Sequence, residues 1–191
     1  FAQCKDSATS SINGAISITL AGTPTATQFT ASANFQNVAV VQDGVTSTIA
    51  GTVTVSENDT ALDTLTTLSV GSGGLTAATA SSGYNDSVSF ASGFVIQTDE
   101  ATSGASTTVS LSGTMTAQSL GGSITISTPQ ALVQLSSDTY PSAGQVIVTG
   151  ASGSAVRATV LDNTQVKVDL DANGDGTYES TATIAWTSLI V

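Results

Sequence analysis

The sequence predicts an all-β protein: an antiparallel β-sandwich or a related multi-hairpin β architecture of about twelve strands. Three observations predict it. Apolar and polar residues alternate with a period of two through most of the chain. Thr, Val and Ile fill these runs, and β-branched side chains fit a pleated surface better than a helix. Short clusters rich in Gly, Asp and Asn punctuate them.

The elements follow in order. "AISITL" (15–20) is an apolar alternating strand near the N-terminus. "FTASANF" places Phe29, Ala31, Ala33 and Phe35 on one side. In "VTSTIAGTVTV", Val45, Ile49, Gly51, Val53 and Val55 share one face and Thr46, Thr48, Thr52 and Thr54 the other. "VSLSGTM" repeats the pattern with Val109, Leu111, Gly113 and Met115. "QVKVDL" gives Val166, Val168 and Leu170, and "YESTATIAW" gives Tyr178, Ala182, Ile184 and Trp186. The expected reversals are "QDG" (42–44), "END" (57–59), "GSGG" (71–74), "SSGYND" (81–86), "LGG" (120–122), "GASG" (150–153), "LDN" (161–163) and "ANGDG" (172–176). Only "TALDTLTTL", with Leu62, Leu65 and Leu68 three apart, has helical spacing, and its Thr content works against a helix.

The chain of 191 residues is long enough for a real core. We read residues 1–191 as a single β domain, with 129–191 a candidate second lobe, because Pro129 interrupts a ladder. A faint internal repeat relates 34–56 to 89–117. Each copy has a Phe, an apolar run, an acidic turn, and a strand with Gly-Thr at its middle (Gly51-Thr52, Gly113-Thr114). "SINGAISIT" carries a partial third copy. Two hairpins of one design stacked in a larger sheet would produce this pattern.

Charge excludes whole classes of partner. Lys and Arg number 3 against 14 Asp and Glu, for a formal charge of −11. The cations are Lys5, Arg157 and Lys167. Phosphate recognition needs clustered cations, so nucleic acid is not an expected partner. An anionic membrane surface would repel the chain, and no apolar run reaches the roughly 18 residues of a spanning helix. Surfaces of uncharged Thr and Ser accompany secreted and cell-surface β proteins. Cys4 is the single cysteine, so stability comes from sheet and core instead of internal disulfides. A start at Phe1 without Met suggests a processed chain whose signal peptide is gone.

Enzymatic chemistry is not expected. There is no His, which removes the usual general base and the commonest metal ligand. A Ser-His-Asp triad and a Cys-His pair are both ruled out. Zinc does not fit one Cys and no His. "GSGG" lacks the Lys and helix of a phosphate loop. Carboxylates outside 168–180 sit mostly at turns, as turn chemistry favours.

The acidic stretch "VDLDANGDGTYES" (168–180) holds the candidate metal ligands: Asp169, Asp171, Asn173, Asp175 and Glu179. Calcium wants hard oxygen ligands at alternate positions and a Gly at the turn. Counting from Asp169, Asp171, Asn173 and Gly174 take positions three, five and six, but Ser180 stands where a bidentate Glu belongs. Counting from Asp171 gives Asn173, Asp175 and Gly176, and the last position is Ala182. Neither count completes the loop. A calcium site and a bare hairpin turn both remain open; calcium is the candidate cofactor.

The segment from Tyr140 to Leu189 resembles a C-terminal element of poorly characterised bacterial secreted proteins and lipoproteins. It shares their Tyr-Pro, Gly-flanked strand, Asp/Gly-rich loop followed by Tyr-Glu, and late Trp. The resemblance implies a bacterial exported origin and no particular activity. No lipobox precedes Cys4, a departure from the lipoprotein members.

The ends carry the functional expectation. "AISITL" and the terminal Leu189-Ile190-Val191 form apolar strands that need cover. Either they complete their own sheet, or a terminal strand pairs with the next copy. The second case makes the protein a secreted structural subunit that self-assembles into an extracellular filament or surface layer, with other copies of itself as partners. The alternative is a monomeric cell-surface binding or adhesin module, calcium-stabilised.

Overall fold

A computed structural model describes Cys4 and residues 9–23 and 27–189. Twelve strands follow one another: β1 (Ser10–Gly22), β2 (Gln28–Gln42), β3 (Val45–Asp59), β4 (Asp63–Ser81), β5 (Tyr84–Phe90), β6 (Val95–Ala101), β7 (Ser106–Ala117), β8 (Gly122–Leu135), β9 (Ala143–Thr149), β10 (Ala155–Val160), β11 (Gln165–Asp171) and β12 (Ser180–Ala185). The all-β class holds in its multi-hairpin form. All strands join one antiparallel sheet, in the order β1-β2-β3-β4-β5-β7-β8-β9-β10-β11-β12.

β6 pairs with β4 and β7. β5 lies on Leu75–Ser81 of β4 and β6 on Asp63–Ser69. The two therefore sit end to end in one place, interrupted at 91–94. Elsewhere each strand lies beside its predecessor, as short reversals dictate. At Asp43-Gly44 both φ angles are positive, 49° and 82°, the geometry that two-residue hairpins favour.

The long strands are bent. β1 to β4 run 13 to 19 residues, against a usual five or six or so. Register shifts interrupt them at Asn13/Ala15, Phe35/Val38 and Gly51/Val53, and interrupt β7 and β8 at Val109/Ser112 and Ser127/Gln130. Bulges bend a strand and raise its twist. These align across the sheet as a crease, and at three points along it a glycine stands against neighbouring backbone. A Cβ on Gly14 would stand 2.5 Å from Asn37 O, on Gly51 2.2 Å from Gly74 O, and on Gly113 2.6 Å from Phe94 Cα. Their φ angles are +104°, +123° and +138°, so glycine alone fits. The repeat seen in the sequence is this crease: Gly51 and Gly113 mark its two copies and Gly14 the partial third.

Cross-strand pairing places Leu20, Ala31, Val55, Leu68, Ile96 and Leu111 in one apolar row. Burial concentrates at the crease, on Val38, Val70 and Phe94, with Ala117 buried at the end of β7. Phe94 meets Phe90 edge-on, ring centroids 4.9 Å apart. A second buried pair, Val160 opposite Val166, anchors the C-terminal hairpins. Farther out the face opens to solvent. On β1, Ile18 is 69% and Leu20 58% exposed.

Several expected reversals fall elsewhere. "GSGG" lies inside β4, where it forms the crease. "END" ends β3, and the chain turns at Thr60–Leu62. There the Thr60 hydroxyl donates to the Asp63 carboxylate at 2.5 Å and accepts the Asp63 N–H at 3.1 Å. "TALDTLTTL" forms no helix: Leu65 and Leu68 belong to β4. Pro129 sits within β8 at a register shift. Thr128 bridges the gap, its Oγ1 accepting from Leu111 N (2.9 Å) and donating to Leu111 O (3.2 Å). Ile190, Val191 and Lys5 lie outside the described residues.

Candidate functional site

The acidic stretch begins in β11 and ends in β12. The turn before it is set by Asp162, whose Oδ1 accepts from Thr164 N (2.7 Å), Thr164 Oγ1 (2.6 Å) and Gln165 N (2.9 Å). These bonds, the Thr164 hydroxyl first, hold its carboxyl below the ordinary range. The turn fixes the register in which Arg157 opposes Asp169, and Asp169 opposes Thr181.

Asp169 is 2% exposed. Its Oδ1 accepts from Thr181 Oγ1 at 2.6 Å and faces Lys167 Nζ at 3.1 Å. Its Oδ2 accepts from Arg157 Nε at 3.1 Å and Nη2 at 2.9 Å. The Thr181 hydroxyl, with Arg157 and Lys167, outweighs burial and lowers the Asp169 pKa to about 2. The Arg157 guanidinium also lies over the Tyr178 ring, 4.0 Å from its centroid. The cations among the described residues, Arg157 and Lys167, thus converge on one carboxylate.

Asp171 faces the same side of β11 and is 2% exposed. Its Oδ1 accepts from Gly174 N (2.7 Å) and its Oδ2 from Gly176 N (2.9 Å). Asn173 Oδ1 accepts from Asp175 N (2.8 Å), and Asn173 Nδ2 donates to Asp175 Oδ2 (3.2 Å). Asp175 Oδ1 accepts from Thr177 N (2.7 Å). The Thr177 N–H, then its hydroxyl and Asn173, hold the Asp175 carboxyl below its ordinary range. Glu179 reaches back, its Oε2 accepting from Ala172 N at 2.9 Å. Position 174 must be glycine, because a Cβ there would lie 2.2 Å from Ser152 O in the neighbouring 3-10 turn (Ala151–Gly153).

Of the five candidate ligands, the fold gathers Asp171, Asp175 and Glu179, with carboxylate oxygens within 4.8 Å of one another. Asp169 is engaged by Arg157, Lys167 and Thr181, and Asn173 is tied to Asp175. Three carboxylates this close repel one another, and hard oxygens at such spacing suit a cation such as calcium. Counted from Asp171, Glu179 takes position nine of a calcium loop, often a water-mediated place. The cationic hub around Asp169 escaped sequence reading. Its signal was a lone Arg and a lone Lys in a nearly cation-free chain, on strands flanking one hairpin turn. Comparison of the chain with family models, with curated proteins and with solved structures finds no match in any of the three.

Proposed function

We propose that this chain is a structural subunit that associates with copies of itself by strand addition, building an extracellular filament or surface layer. One observation carries the reading: the open edge at β1. Among the described residues no strand pairs with the outer side of Ala15–Gly22, while Cys4 bridges to Ile12 only. Ile16, Ile18 and Leu20 stand exposed along that edge. No charged residue occurs from 7 to 42. Native proteins usually block such edges with Lys, Pro, bulges or a covering loop, and an unblocked one is a template for another chain. The extracellular setting draws support from the uncharged Thr- and Ser-rich surface, and from the absence of trypsin sites between Lys5 and Arg157. The test is the mass of the native particle by light scattering, with negative-stain microscopy. Particles of many times 18.9 kDa are expected, and a single species of chain mass at high concentration refutes the reading.

A second reading is favoured by the Asp171, Asp175 and Glu179 cluster: a monomeric surface-binding module whose C-terminal hairpin is clamped by calcium. The ion would tie the 172–179 loop to β11, a structural role without catalysis. A melting point indifferent to calcium and chelator removes it.

A further inference from the structure

Resting on the self-association reading, we infer that copies join head to tail, the β12 edge of one pairing with the β1 edge of the next. The sheet is open, and β1 and β12 are its two ends. Among the described residues, neither outer side is covered beyond Gly14 on β1. Both edge strands lack charged and proline blocking residues. Ser10–Gly22 and Ser180–Ala185 contain no Asp, Glu, Lys, Arg or Pro. The strands between carry Glu57, Asp59, Asp63, Asp86, Asp99 and Glu100. Two copies of a chain of charge −11 therefore meet with least repulsion at these two uncharged ends.

The faces also match. A single cross-strand row runs from Thr19 through Ser32 and Thr54 at one end to Arg157, Asp169 and Thr181 at the other. Thr181 and Thr183 thus share a face with Thr19. Ala182 and Ile184 share the opposite face with Ile18 and Leu20. All pairings are antiparallel over eleven positions, so β1 and β12 run the same way. Parallel addition of β12 to the next β1 keeps the faces continuous and sets hydroxyls beside hydroxyls and aliphatic groups beside aliphatic groups. A two-fold β1-to-β1 pair would satisfy one edge and leave both β12 edges open. Only the heterologous joint uses both, and repeated it generates an open filament.

Two edge-blocked variants test this, each with two lysines on exposed positions, one per face: Ile18→Lys/Thr19→Lys on β1 and Ala182→Lys/Ala185→Lys on β12. Each is measured by light scattering and circular dichroism, alone and in equimolar mixture with the other. Head-to-tail joining predicts that each alone is a folded monomer. The mixture then yields a heterodimer of twice the chain mass and nothing longer, since each partner supplies the edge the other lacks. Assembly of the β12-blocked variant alone means β1-to-β1 pairing; it overturns the inference and leaves self-association standing. A mixture without heterodimer overturns the inference as well. A wild-type chain that stays monomeric removes both inference and reading.

Discussion

Gly51→Ala should be among the most damaging single-methyl additions this sheet can receive. The new Cβ would stand 2.2 Å from Gly74 O and 2.8 Å from Leu75 Cα, both backbone atoms. Neither can rotate away, so β3 or β4 must shift by about an ångström at the crease. That overpacking costs about 1–3 kcal/mol. The φ of +123° adds about 1–3 kcal/mol for a residue bearing a side chain. The sum, roughly 2–6 kcal/mol, is a large part of the 5–15 kcal/mol or so that holds a domain together. Gly44→Ala is the control. Its φ is +82° and nothing lies within 4 Å of the added methyl, so only the dihedral term of about 1–2 kcal/mol remains. Urea titrations followed by circular dichroism would measure both, the midpoint reporting stability and the slope the surface exposed. Equal midpoint shifts for the two variants would refute the argument that backbone crowding shapes the crease.

Acid should reveal the Asp169 hub. Its folded pKa of about 2 lies below the ordinary 3.8, so its contribution is complete above the ordinary value and fades as pH falls towards 2. The contribution is roughly 1–2 kcal/mol once the solvent reaching Arg157 and Lys167 is discounted. Asp169→Asn should lose that amount at pH 7 and show a flatter acid limb; parallel wild-type and variant curves between pH 4 and pH 2 would contradict the ion-pair account. Calcium at about 1 mM, bound with a Kd near 10⁻⁴ M, should stabilise the fold by roughly 1.4 kcal/mol and raise Tm by about 2–4 °C. Glu179→Gln and Asp175→Asn should weaken that rise, and a calcium response undiminished in both would place the ion elsewhere. Tyr140→Ala removes the ring stacked on Trp186 at 5.9 Å. It should cost about 0.5–1.5 kcal/mol and shift Trp186 emission to the red, and an unchanged spectrum would count against the stack.

Strands were legible because alternation survives any register: the faces of Phe29–Phe35 and Val45–Val55 are those written in the sequence. Bends were not, because a bend and a reversal use the same residue. Gly71–Gly74 looks like a hairpin loop, yet the pairing partners on either side, Val53 with Val70 and Gly51 with Leu75, keep it within β4. The collinear β5 and β6 were hidden for the same reason, since Ala91–Phe94 breaks the strand without turning it. At the acidic stretch, counting ligand positions treated Asp169 and Asp171 alike. What separates them is the cross-strand neighbour, Arg157 in one case and backbone N–H groups in the other. Glu179 stood one place early for a bidentate ligand in a continuous loop, but the chain's return to Leu170 O brings it back beside Ala172.

The nearest-neighbour order of the strands has a kinetic consequence. Most ribbons lean on the one made immediately before, so few distant stretches must find each other across a long, costly entropic gap. Folding can begin at the first reversal and zip forward one ribbon at a time as the polypeptide emerges, with speed set by nearby encounters. The steps that lay 95–101 back onto 63–69 and 115–117 onto 88–90 must wait, which makes that seam the natural pause in an otherwise steady progression.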